Sequence, residues 1–217
     1  MTDDRVSGLA LIAGSIAEIV TMSLHPTGRD LFASGQFAAV AHMAVATHAL
    51  ALISVPVMFL GALGLSRRLS ADDRLALAAL IAYGFAVVAA MNAAVMSGLV
   101  NTAVARQIAG AAPESSSGWR ILFNYTGYLN QSFALVLVVA SSAAIILWSA
   151  AILRSRALAS GVGIYGCILG PLTVIAVLSG HLRFDVHGFG LIVLGQSLWF
   201  IIVGALLFRT IKDEQHL

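Results

Sequence analysis

Six apolar runs, each long enough to cross a lipid bilayer, dominate this chain and restrict what it can fold into. A helix needs about 20 residues to traverse the hydrocarbon of a bilayer. The runs at 6–25, 37–65, 74–104, 121–152, 159–182 and 187–209 meet that length. Backbone inside lipid finds no water to bond, so only helices and closed barrels can span it. A barrel would show short segments of alternating polarity, and the sequence carries none. The prediction is an all-α, polytopic membrane protein: one domain over 1–217, six transmembrane helices arranged as three hairpins. Composition agrees, with only 10% charged residues and a mean hydropathy of +0.94, against about 25% charged in a soluble domain. A net charge of +2 leaves no electrostatic footprint for nucleic acid. The lipid bilayer is the expected partner, with a small molecule or ion as a candidate ligand.

Polar punctuation separates the runs: HPTGRD, SRRLSADDR, ARQIAGAAPESSSGWR, RSR and RFD. Basic residues orient them. With the N-terminus cytoplasmic, the inner side carries Arg5, Arg67, Arg68, Arg74, Arg154, Arg156, Arg209 and Lys212. The outer side carries Arg29, Arg106, Arg120 and Arg183. Eight against four places both termini in the cytoplasm of a plasma or inner membrane by the positive-inside rule. MTDDRV carries two acids before the first run and no small-residue cleavage site follows, so the first run is expected as a retained span. Cys167, the single cysteine, lies within the fifth run and forms no intramolecular disulfide. Pro26 ends the first span and Pro113 falls in a long outer loop, whereas Pro56 and Pro171 are expected to kink spans two and five.

An internal repeat is legible. Tyr83-Gly84 followed by Ala94-Val95-Met96-Ser97-Gly98 in span three matches Tyr165-Gly166 followed by Ala176-Val177-Leu178-Ser179-Gly180 in span five. Gln131-Ser132 and Gln196-Ser197 echo each other in spans four and six. The hairpin of spans three and four therefore reads as a relative of the hairpin of spans five and six. Parallel repeats of this kind occur among transporters. Gly61 and Gly64 in span two, and Gly163, Gly166 and Gly170 in span five, mark close helix packing.

Polar residues within lipid are the candidates for function. Five of the six histidines fall in the outer half; only His216 lies in the cytoplasmic tail. His25, His42, His181 and His187, with Asp185, are the candidate metal ligands, and His42 with His187 the candidate axial pair for a haem. No HExxH, HxxxH or CxxC spacing reinforces them. Glu18 lies about 10 Å deeper than His25 and near the same face, and His48 about 9 Å deeper than His42. With Asn92, Gln131, Thr173 and Gln196, these two residues form a layer to which each span contributes one polar side chain. Glu18 and His48 are expected to share a proton or to satisfy each other.

Three functions fit such a layer. The outer histidines favour binding of a transition metal or haem-like cofactor. The alternative is a transporter or proton-coupled carrier of a small solute or ion, with Pro56 and Pro171 as hinges, although the cytoplasmic half offers little beyond Ser141, Ser142 and Ser149. The third is a structural or partner-binding protein, its helices fixed by interhelical hydrogen bonds and anchored at the interface by Trp119 and Trp148. The GxSxG elbow of serine hydrolases and a phosphate-binding glycine loop are both absent, so the sequence assigns no catalytic residue.

Overall fold

A computed structural model describes residues 3–26, 30–32, 36–69, 74–182 and 186–209. Its main elements are helices α1 (Asp3–Ser23), α2 (Phe37–Arg68), α3 (Arg74–Ala94), α4 (Asn101–Gly110), α5 (Pro113–Ser155), α6 (Ser160–Leu178) and α7 (Val186–Arg209). A π-helical segment, Val95–Val100, joins α3 to α4 without a break, and a 3-10 turn covers Asp30–Phe32. No strand occurs among the described residues. Counting α3 to α4 as one rod, six helices are long and apolar enough to cross a membrane.

Several of these rods exceed the bilayer. The 32 residues of α2 rise about 48 Å and the 43 of α5 about 64 Å, against a hydrocarbon core of about 30 Å. The long outer loop expected around Pro113 is instead helical on both sides. α4 runs to Gly110, two residues intervene, and Pro113 opens α5, a position where its missing amide hydrogen costs nothing. A small second core packs beside that segment, with Leu31, Ala41 and Ala105 buried beneath Phe37, Val40 and Phe123. A hydrogen bond from the Thr126 hydroxyl to Asn101 ties α5 to α4.

α1 packs along both α2 and α7, α3 along α5 and α2, and α5 along α6. The contact of α7 with α1 is far more extensive than that with α6, so the last helix leans on the first. Glycine makes that approach possible: a Cβ on Gly8 would meet the backbone carbonyl of Gly204. Gly61 and Gly64 similarly admit Leu11 and Ser7 of α1, while Gly166 admits Ser149 and Trp199. The start of α1 and the end of α7 lie at one end of the bundle. There Arg5 sits over the Phe208 ring, 5.8 Å from its centroid, and Arg68 pairs with Asp4 at 3.6 Å.

The half of the bundle next to the termini is solid. Tyr83, Trp148, Trp199 and Phe200 cluster there, the two indoles nearly parallel with centroids 6.2 Å apart. Trp148 is therefore a core residue with 0% exposure and no interface anchor. Its indole N–H donates to the Ser66 hydroxyl at 2.9 Å, and the Trp199 indole donates to the Val162 carbonyl at 3.1 Å. Trp119 remains partly exposed. Residues matched in the expected repeat have unlike surroundings: Tyr83 is buried, whereas Tyr165 is half-buried and donates to the Gly195 carbonyl at 2.9 Å. A Cβ on Gly84 would meet nothing, while Gly166 is tightly packed.

Candidate functional site

Away from the termini the bundle opens into a cavity of about 210 Å³. Five helices wall it and α6 stands outside. The space exists because alanines face it where the solid half has tryptophan: Ala51 on α2, Ala90, Ala93 and Ala94 on α3, and Ala134 on α5. Tyr83 and Phe200 form its floor, so the aromatic cluster separates the cavity from the termini. Its mouth lies at His25, just beyond α1, with Phe189 at the start of α7 and Asn130 and the exposed Gln131 on α5.

α1 supplies the most polar wall. Glu18, Thr21 and His25 recur at the three- and four-residue spacing that stacks side chains on one helix face, and all three line the cavity. Glu18 keeps some accessible surface because it faces this space, and its carboxylate accepts a hydrogen bond from Ser197 at 3.2 Å. Thr21 Oγ1 and His25 Nδ1 are buried with no hydrogen-bond partner among the described residues. Such groups in a native interior point to something that completes them.

His48 is buried at 4% exposure, its Nδ1 2.6 Å from the Ala44 carbonyl one turn earlier. That bond places the proton on Nδ1 and leaves Nε2 as an acceptor. The His48 ring meets His25 edge to face, with centroids 4.7 Å apart. The contact expected between Glu18 and His48 is thus replaced by two others, Glu18 with Ser197 and His48 with His25. On α3 the π segment brings Ser97 to the cavity wall and Gly98 against His48, where a Cβ would strike the imidazole. On the far side Gln196 spans α7 to α5, accepting from Ser141 at 2.8 Å and donating to Ser142 at 3.0 Å.

Of the expected polar layer, Glu18, His48, Gln131 and Gln196 line the cavity. Asn92 instead donates to the Val88 carbonyl of its own helix at 2.8 Å, and Thr173 is buried on α6, outside the cavity. The outer histidines do not assemble. His42 and His187 are exposed on α2 and α7, which share no extended interface, and His181 is exposed beside Ser179, 2.7 Å from its hydroxyl. Asp185 lies outside the described residues, as does His216. Among the described residues no three His, Cys, Asp or Glu side chains are grouped to hold a metal ion. Thr21, Ser54, Tyr83, Ser97, Asn130 and Ser141 are site residues that the polar layer omitted, Ser141 having been expected in the cytoplasmic half. Thr21 had a signal, its helical phase with Glu18 and His25; the others look like any residues of an apolar helix.

Set against protein-family models, curated proteins and solved structures, the chain matches none of them.

Proposed function

We propose that this protein is a membrane carrier that binds a small solute in a cavity opening away from the chain termini. The observation that carries this reading is the pair Thr21 Oγ1 and His25 Nδ1, buried without partners on the wall of that cavity. A bound solute supplies what the protein withholds from them. The positive-inside distribution of arginine supports the open side as the outer one. Net movement across the membrane then requires the aromatic floor to part, and the helices carry joints for it. Pro56 adjoins the cavity-lining Ser54 and Val55, and the π segment of α3 carries Ser97. Irregular helix of this kind recurs at functional sites and in the broken helices of transporters.

The test uses thiol labelling in a Cys167→Ser background. Ser97→Cys should react with a membrane-impermeant thiol reagent added to intact cells. Reaction from the cytoplasmic face, in inverted vesicles, should also occur at a slower rate as the cavity exchanges sides. A thiol that reacts only after denaturation would exclude an open cavity.

The contact of His25 with His48 supports a second reading, a metal held by two imidazoles. Bonding of Nδ1 to a carbonyl is the usual way a ligating histidine is oriented, and His25 Nδ1 is free. The set is one ligand short of the three that a catalytic zinc takes from its protein. Zinc or copper titration of the native protein against His48→Gln separates the two readings.

A further inference from the structure

The chemistry of the solute can be drawn from the charge of the cavity, an inference that rests on the carrier reading. We infer that the cavity takes a small organic cation, an ammonium on an apolar or aromatic body, in exchange for a proton on Glu18.

Among the described lining residues Glu18 is the only carboxylate, and none is a lysine or arginine. Its one hydrogen bond among the described residues, from Ser197, is neutral. A carboxylate withdrawn from water and left without a counter-charge is costly inside a membrane. Two occupants remove that cost, a proton or a bound cation, and they exclude each other. The exchange is balanced: the carboxylic acid gives its proton to the outer medium and the carboxylate left behind pairs with the entering cation. No bond other than that O–H is broken.

The remaining walls decide between an inorganic and an organic cation. A metal ion or sodium needs a shell of oxygen or nitrogen donors converging on it, whereas 14 of the 24 described lining residues are aliphatic, aromatic or methionine and the polar ones are spread over five helices. Phe189, Tyr83 and Phe200 add aromatic surface, which attracts ammonium groups through the ring quadrupole. Thr21 Oγ1 and His25 Nδ1 remain for a polar substituent. Other titratable groups among the described residues face Glu18 or share its cavity: His25 just beyond its own helix, His48 on α2 and Tyr83 on α3, while α5 and α7 present the neutral polar Asn130, Gln131, Ser141, Gln196 and Ser197. A protonated histidine would repel the same cation, so the test must separate the histidines from Glu18.

The experiment is calorimetric titration of the purified protein in detergent with benzyltrimethylammonium, a single-ring cation that cannot itself carry a proton. Neopentylbenzene, its neutral isostere, is the control. Saturable binding of the cation should release close to one proton, read by repeating the titration in buffers of different ionisation enthalpy. Its apparent affinity should fall about tenfold per unit of pH once the proton competes. Glu18→Gln should lower affinity about a hundredfold or more, and His25→Gln with His48→Gln should leave proton release intact. The pH titration of the unmodified protein keeps the test valid if Glu18→Gln fails to fold. Equal binding of the neutral isostere, binding without proton release, or displacement by millimolar sodium would each overturn the inference. If Ser97→Cys labels from outside but the cation neither binds nor protects it, the organic-cation inference falls and the carrier reading stands. If the thiol does not label, both fall.

Discussion

Gly98 shows how closely one residue governs this site. It lies in the π segment of α3, and a methyl group on it would occupy the space of the His48 imidazole. Overpacking of this sort costs about 1–3 kcal/mol, so Gly98→Ala should lower the melting temperature in detergent and displace His48 from His25. Gly84, on the same rod, meets nothing where its Cβ would be. Gly84→Ala should be neutral or stabilising by up to about 1 kcal/mol through helix propensity. Equal effects at the two positions would remove Gly98 from the site. The contrast was beyond the sequence, where both are glycines within one apolar run. The role of Glu18 was nearer the surface of the text: a carboxylate inside a span must face the interior, and the structure has it do so. Its partner was not legible, because Ser197 comes from the other end of the chain and nothing in sequence distance marks the meeting.

At the scale of elements, Pro56 and the π segment interrupt the regular hydrogen bonding of two rods beside the cavity. Pro56 lacks the amide hydrogen that would bond the Leu52 carbonyl, and it lies two residues from Ser54 on the cavity wall. Pro56→Ala restores that bond. A carrier hinged there should become more heat-stable while Ser97→Cys loses its labelling from the cytoplasmic face and keeps that from outside. Unaltered labelling from both faces would move the hinge elsewhere, with the π segment the next site to test. Six helices, with Pro56 and Pro171 inside two of them, were readable from apolar runs, because hydrocarbon solvent demands continuous apolar helix. Helix ends were less readable. The segment around Pro113 is polar enough to suggest loop, yet α4 runs to Gly110 and α5 starts at Pro113, because polar residues are compatible with helix where proline takes the first turn.

For the whole molecule the governing contrast is between a solid half and an open one. The aromatic cluster near the termini and the alanine-walled cavity beyond it make a blind pocket, which faces outward if the termini are cytoplasmic. A green fluorescent protein fused after Leu217 should then fluoresce in cells, since it folds in the cytoplasm, and a dark fusion at normal expression would reverse the orientation of the pocket. The sequence by itself determined class, span number and the presence of polar groups within lipid, since each follows from transfer of side chains between water and hydrocarbon, residue by residue. Which of those groups meet was decided only in three dimensions. Rotation and lateral neighbours of a helix in a bundle depend on the packing of glycine, alanine and tryptophan against helices far away in the chain. That packing drew His25 to His48, left His42, His181 and His187 exposed, and turned Trp148 from an expected anchor into a core residue behind the Tyr83–Phe200 floor of the cavity.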